Sequence, residues 1–92
     1  MIGSFRHKGL KEFFETGSKR GVRPELAARI ARRLDVLNAA TEIDDVNAHG
    51  FNLHPLKGDR QKEWAISVSG NWRLTFRFVN GEALDINLED YH

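Results

Sequence analysis

The chain has 92 residues, no cysteine and a formal net charge of +1. Since so short a chain rarely divides, residues 1–92 are expected to form one domain around a single core. The lack of cysteine excludes a disulfide scaffold and a thiolate metal site. With 40% apolar and 29% charged residues, the chain is typical of a folded protein with a water-exposed surface. No apolar stretch approaches the roughly 20 residues that cross a bilayer, and no signal-peptide core is present, so a cytoplasmic location without membrane contact is expected.

The N-terminal residues predict a short strand followed by a helix. Ile2 to Phe5 is short and apolar at its ends, which favours a brief edge strand. From His7 to Thr16, the apolar residues Leu10, Phe13 and Phe14 have the i, i+3, i+4 spacing of one helical face. The predicted helix therefore buries one side, and a basic loop follows it.

A second helix is predicted to begin near Pro24, which suits the first helical turn. Its apolar residues occupy one arc at about 100° per residue, and three arginines occupy the adjoining arc. The arginines, expected to be solvent-exposed, are Arg29, Arg32 and Arg33. A further helical turn is expected between residues 38 and 47, with Thr41 as a candidate N-cap.

The second half of the sequence has strand periodicity. Apolar and polar residues alternate from Trp64 to Ser69, from Trp72 to Val79 and from Leu84 to Leu88, with Asn80-Gly81 as a strong hairpin signal. These segments predict an antiparallel meander of three long strands. With the short N-terminal strand and two helices packed on one face, the fold class is α+β.

The polar face of this predicted sheet is the first candidate site. Arg73 and Arg77 alternate with an apolar face and would point away from it. Two interpretations stay open: a phosphate-binding surface, or ion pairs with cross-strand partners such as Asp85 or Glu89.

Two flanking segments add groups capable of acid–base chemistry. Before the strands, residues 54–60 include His54, Lys57 and an Asp59-Arg60 pair, which is expected to shape a turn or form a weak surface pair. After them, the sequence ends in Glu89-Asp90-Tyr91-His92. His7 and His49 are expected in surface or capping roles, and the scattered histidines offer no metal-ligand spacing, so no metal or other cofactor is expected.

These groups favour RNA cleavage over other chemistries. Attack by the 2′-hydroxyl of RNA needs a base, cations that stabilise the developing charge and an acid for the leaving oxygen, and it needs no metal. An aromatic ring that stacks on a base is also common in such sites. The sequence contains each kind of group, without showing that they converge.

Four ordered segments of the chain resemble the HigB toxins of type II toxin–antitoxin systems, within the RelE/ParE superfamily. They are residues 53–60, 64–68, 71–78 and 89–92. The similarity is dense over residues 51–92 and looser from Ile2 to Leu10. It implies a RelE-like sheet flanked by N-terminal helices.

The resemblance implies cleavage of messenger RNA in the ribosomal decoding site and arrest of translation. It makes His54 and His92 proton-transfer candidates, with Asp90 as a carboxylate base or an orienter of an imidazole. Tyr91 would position the base or the attacking hydroxyl. The remaining implied roles are charge stabilisation by Lys57 and Arg73, and a nucleobase contact by Asn71.

The resemblance also implies partners. The 70S ribosome and messenger RNA would be bound, and Lys8, Arg29, Arg32 and Arg33 then become candidates for RNA-phosphate contacts, beside the simpler interpretation of a solvated surface. A small helix-turn-helix antitoxin resembling HigA would bind the toxin and repress the operator, so operator DNA would be met only through the antitoxin. The alternatives are a ParE-like inhibitor of DNA gyrase without nuclease activity, and a non-catalytic partner-binding module.

Overall fold

The computed structural model describes residues 1–91 and begins with two helices. Helix α1 spans Lys8–Thr16, and the Nδ1 atom of His7 caps it by accepting a hydrogen bond from the Leu10 amide at 3.0 Å. A 3₁₀ turn at Pro24–Leu26 leads directly into helix α2, Ala27–Ala39. Both predicted helices are therefore confirmed, with Pro24 at the start of the second.

The predicted turn after α2 is a 3₁₀ helix at Ile43–Val46, but its N-cap is Glu42 and not Thr41. The Thr41 hydroxyl instead donates to the Asp45 carboxylate at 3.1 Å. The Asp45 side chain also accepts from the Glu42 amide, which completes a capping box one residue later than expected.

The sheet has four antiparallel strands in the order β1-β2-β3-β4. Their bounds are His54–Pro55 for β1, Glu63–Ser69 for β2, Trp72–Val79 for β3 and Glu82–Asp90 for β4. The β3–β4 turn is Asn80-Gly81, and both residues have positive φ angles, 51° and 81°. That conformation suits a tight hairpin, so the predicted meander is confirmed.

Two details of the sheet differ from the expected pattern. Residues 2–5 form no continuous ladder, and only the isolated parallel bridges Ile2↔Ala83 and Phe5↔Ile86 join this segment to β4. Within β4, a register shift coincides with a positive φ of 55° at Asp85. Leu84 consequently pairs with Arg77 and shares its face, although simple alternation would put it with Ile86 and Leu88.

The core lies between the helices and the apolar face of the sheet. Leu10 of α1 and Ile30 of α2 are fully buried, as are Leu74 and Phe76 of β3 and Ile86 of β4. The opposite face of the sheet is therefore left for polar groups, and it carries the candidate site. Among residues 1–91, no helix is long and apolar enough to cross a bilayer.

Candidate active site

Both arginines on the polar face of β3 are paired with carboxylates of β4. The Arg73 Nε and Nη2 atoms donate to Glu89 Oε1 at 3.3 and 3.1 Å. The Arg77 Nε atom donates to Asp85 Oδ2 at 2.9 Å. The cross-strand interpretation is thus confirmed for both residues, and it fixes where the Arg73 guanidinium lies. Binding of phosphate at Arg73 stays a prediction.

Glu89 is the centre of a larger charged cluster. Besides Arg73, it accepts hydrogen bonds from Arg60, with Nη1 to Oε1 at 3.0 Å, and from the Thr75 hydroxyl at 3.2 Å. Hydrogen bonds from the guanidinium groups of Arg60 and Arg73 lower the pKa of Glu89 to about 2, and the bonds from Arg60 have the larger effect. We call Arg60, Glu63, Arg73, Thr75 and Glu89 the arginine–glutamate cluster.

The expectation that Asp59-Arg60 shapes a turn is confirmed by the 3₁₀ turn Gly58–Arg60, but the Arg60 side chain pairs with carboxylates other than Asp59. Its guanidinium makes two bonds to Glu63, with Nε and Nη2 each 2.9 Å from a carboxylate oxygen, and reaches Glu89 as well. These hydrogen bonds raise the pKa of Arg60 and lower that of Glu63. The i, i+3 spacing of Arg60 and Glu63 is the sequence signal that could have indicated this pair.

The C-terminal segment lies beside the β2–β3 turn. The Tyr91 amide donates to the Asn71 carbonyl at 2.9 Å, and the Arg73 guanidinium lies over the Tyr91 ring, 4.3 Å from its centroid. A cationic group is thus held at a tyrosine face. Two of the expected site residues, Arg73 and Tyr91, are therefore in contact.

Asp90 belongs to the same end of the sheet but to its other face. It pairs with Trp72, and strand alternation directs its side chain away from the face of Arg73 and Glu89. The final expected site residue, His92, lies outside the described residues. The described chain therefore brings Arg73 and Tyr91 together and holds Asp90 at the sheet end beside them.

His54 lies on β1, at the opposite edge of the same face. Its cross-strand partner is Ala65, which in turn pairs with Thr75, so the Cα atoms of His54 and Thr75 are about 10 Å apart. The His54 Nδ1 atom lies 2.8 Å from the carbonyl oxygen of Asn52. Because a carbonyl only accepts, Nδ1 donates this hydrogen bond, and Nε2 is the nitrogen left to contact a substrate. The carbonyl is presented by Asn52 in a left-handed conformation, with φ 53°.

The other expected RNA-contacting residues lie on the loop after β1 and on the two helices. Lys57 is exposed and precedes the 3₁₀ turn Gly58–Arg60, and Lys8 is exposed at the start of α1. Arg29 and Arg32 are exposed on α2, as expected. The Arg29 Nη1 atom donates to the Ser69 hydroxyl at 3.0 Å, which places this guanidinium next to the β2–β3 turn.

Arg33 is not a surface arginine, contrary to expectation. It is only 8% exposed, its Nε atom donates to the Ser67 carbonyl at 2.6 Å, and its guanidinium lies over the Phe51 ring at 4.4 Å. Burial lowers the pKa of Arg33, and the neighbouring charges of Arg32 and Arg29 add to this effect. Arg33 therefore joins α2 to β2 and is removed from the candidate RNA contacts.

Comparison with known proteins identifies the family. A match to the family described as RelE-like toxin of type II toxin-antitoxin system HigB spans residues 3–92. The chain is 52% identical to Endoribonuclease HigB of Proteus vulgaris over 92 residues, which cover all of both chains. It is 28% identical to Toxin HigB-1 of Vibrio cholerae serotype O1 over 93 residues, covering 99% of this chain and 98% of that toxin. These matches confirm the resemblance seen in the sequence. The chain belongs to the HigB-like family of RelE-type toxins of type II toxin–antitoxin systems.

Proposed function

We propose that this toxin is an endoribonuclease that cleaves messenger RNA in the decoding site of the ribosome and thereby stops translation. One observation carries the proposal: Arg73 is held by Glu89 and lies over Tyr91 at 4.3 Å, on the face that also carries His54. The relative named Endoribonuclease HigB, 52% identical along the whole chain, supports the same activity. A fixed guanidinium beside an aromatic ring suits a phosphate and its attached base.

The proposed reaction uses the substrate's own 2′-hydroxyl as nucleophile. A base removes its proton, the oxygen attacks the adjacent phosphorus, and the bond from phosphorus to the 5′ oxygen breaks as an acid protonates that oxygen. The products are a 2′,3′-cyclic phosphate and a free 5′-hydroxyl. Arg73 and Lys57 would stabilise the charge that develops on the phosphoryl oxygens, while Tyr91 and Asn71 position the nucleotide.

Three residues compete for the role of general base: His54, Asp90 and His92. We favour His92, because an imidazole titrates near neutral pH while a carboxylate would need burial to reach that range. The His54 Nδ1 atom is held by the Asn52 carbonyl, so we assign the opposite role of acid to its Nε2 atom. Asp90 then orients an imidazole at the sheet end where it pairs with Trp72.

The decisive experiment maps the 5′ ends of translated messages after brief induction of the protein. The intact protein should create new 5′ ends within codons, and Arg73→Ala should reduce them by about 10²-fold or more, the usual cost of losing a transition-state donor. Arg20→Ala removes an exposed arginine far along the chain from the cluster and should change nothing. If Arg73→Ala produced the same ends at the same rate, the proposed role of Arg73 would be wrong.

The alternative functions have distinct readouts. A gyrase inhibitor would block supercoiling by purified gyrase and leave messages intact. A non-catalytic binding module would lack toxicity, or would keep it after substitution of residues 90–92. The nuclease proposal requires the opposite result in each case.

The proposed partners follow from the family. A toxin of this class implies a cognate antitoxin. We propose a HigA-like helix-turn-helix antitoxin, through which alone the toxin meets operator DNA, together with the 70S ribosome and messenger RNA in the cytoplasm. The exposed side chains of Lys8, Arg29 and Arg32 are the proposed contacts to ribosomal RNA phosphates.

A further inference from the structure

A second basic site lies next to the arginine–glutamate cluster. A cleft of about 490 Å³ opens between the loop at residues 58–62, Arg77 of β3 and the N-terminal segment at Arg6. Four basic and two acidic side chains line it. They are Arg6, Arg60, Lys62 and Arg77, with Asp59 and Glu63. The cleft therefore has a surplus of positive charge.

The charge that remains available comes mainly from two residues. The Glu63 carboxylate forms an ion pair with Arg60, and Arg77 forms an ion pair with Asp85. Within residues 1–91, neither Arg6 nor Lys62 forms an ion pair or a side-chain hydrogen bond. Arg6 nonetheless lies close enough to Glu63 for its charge to help lower the pKa of that carboxyl. Two cations and the exposed Asp59 carboxylate therefore line the cleft outside these ion pairs, which leaves a net positive charge there.

The cleft is continuous with the proposed catalytic face. Arg60 lines the cleft and also donates a hydrogen bond to Glu89, which holds Arg73. Along β3, Arg77 follows Arg73 by four residues on the same face, a distance of about 13 Å. An RNA strand whose scissile phosphate lies at Arg73 can therefore extend along β3 toward the cleft.

We propose that this cleft binds a backbone phosphate of RNA, with Arg6 and Lys62 as the phosphate-binding side chains. This inference rests on the proposed nuclease function and extends it to a second position on the RNA. A concave site with cations outside ion pairs favours a phosphodiester over a base edge, because phosphate contacts need positive charge and depend little on the base sequence. The phosphate can belong to the message beyond the cleaved bond or to ribosomal RNA.

The test compares the intact protein with an Arg6→Ala, Lys62→Ala double variant in single-turnover cleavage of ribosome-bound message. The double variant should keep the maximal rate and need roughly tenfold more ribosome for half-maximal rate, with a log–log salt slope smaller by about 1–2. Its fold should be retained, because the Arg6 backbone amide still donates to the Ile86 carbonyl at 2.9 Å.

Two controls make the outcome specific. A Lys19→Ala, Arg20→Ala variant loses the same charge from an exposed loop and should behave like the intact protein. An Arg6→Lys, Lys62→Arg variant keeps the charge and should also behave like it. An unchanged half-saturation point and salt slope in the Ala double variant would overturn the cleft proposal.

Failure of the proposed function itself is distinguishable, because the intact protein would then not cleave ribosome-bound message at all. To assign the source of the phosphate, binding of the intact protein and of the Ala double variant is measured on ribosomes that carry no message. Weakened binding of the Ala double variant there indicates ribosomal RNA, whereas weakening only with message present indicates the messenger strand.

Discussion

Glu89 is an acidic residue in a site proposed to bind a polyanion, and its partners explain how it is tolerated. Two guanidinium groups, those of Arg60 and Arg73, surround it, and its side chain is only 19% exposed. Its negative charge is offset locally, so it orients Arg73 without repelling a phosphate placed on the outer side of that guanidinium. We expect Glu89 to act as a positioning residue for Arg73.

The depressed pKa of Glu89 makes folding stability depend on pH. Because the folded-state pKa lies near 2 and the ordinary value is 4.5, its stabilising effect is complete above pH 4.5 and is lost as the pH falls toward 2. At neutral pH the effect is of the order of 3 kcal/mol. Urea unfolding should therefore show that Glu89→Gln is less stable than the intact protein at pH 7, with the difference shrinking below pH 4.5. A difference that stays constant with pH would contradict the assignment.

Single residues were the hardest feature to predict from the sequence. Arg33 belongs to a basic arc on the helical wheel, and only the position of Phe51 and the Ser67 carbonyl shows that Arg33, unlike the other two arginines of the arc, is buried. A long arginine side chain can be buried when its guanidinium donates to a backbone carbonyl. The local sequence pattern does not indicate where such a carbonyl lies. The ion pairs of Arg60 are a similar case, since its second partner, Glu89, is 29 residues away.

At the scale of elements, helix α2 has two kinds of arginine. Arg29 and Arg32 are exposed, whereas Arg33 is buried against Phe51. Charge reversal should separate their roles. An Arg29→Glu, Arg32→Glu variant should keep its stability within about 0.5 kcal/mol, as surface changes usually do, and should lose co-sedimentation with ribosomes in low salt. Unchanged co-sedimentation would contradict a ribosome contact through α2.

Arg33→Glu is the companion variant for this experiment. It would place a carboxylate beside the Ser67 carbonyl and lose the bonds to Ser67 and Arg29. An unpaired buried charge costs about 3–5 kcal/mol, so this variant should be largely unfolded by circular dichroism. Any loss of ribosome binding in Arg33→Glu would then report folding rather than an RNA contact.

The strands illustrate what periodicity can and cannot predict. The alternation from Trp64 to Val79 correctly indicated the polar face that carries Arg73. In β4 the alternation failed at Leu84, because the irregularity at Asp85 inserts an extra residue and moves Leu84 to the face of Arg77. An aspartate with positive φ is uncommon, and the Ser4 hydroxyl that accepts from its amide at 2.9 Å comes from the other end of the chain. Local sequence could not reveal this bond.

At the scale of the whole molecule, the fold class was predictable because the residues that the helix and strand periods place on apolar faces are the residues that the structure buries. Leu10, Ile30 and Phe76 were each on a predicted apolar face and are fully buried. The convergence of the candidate site was not predictable, since it depends on the pairing of Trp72 with Asp90 and on the Asn71–Tyr91 backbone bond. Only the resemblance to a family connected those segments in advance.

The spacing between α1 and the loop before α2 depends on two glycines. A Cβ atom at Gly9 would lie 2.4 Å from the Gly21 carbonyl oxygen, and one at Gly21 would lie 2.5 Å from the Gly9 Cα. Both clashes involve backbone, so neither can be relieved by rotating a side chain. This loop leads to Arg23, whose guanidinium lies over the Trp72 ring at 5.2 Å, so the contact also sets the approach of the helices to the sheet end that carries the site.

Gly9→Ala should therefore destabilise the protein, although alanine favours a helix more than glycine does by about 1 kcal/mol. We expect a net loss of about 1–3 kcal/mol, the usual cost of overpacking, measured by urea unfolding. Gly17→Ala is the matched control, because nothing lies within 4 Å of its Cβ position and only the φ of 80° opposes the change. Its cost should be near 1 kcal/mol. If Gly9→Ala proved as stable as the intact protein, the two backbones would not be in the close contact that fixes α1 against the loop.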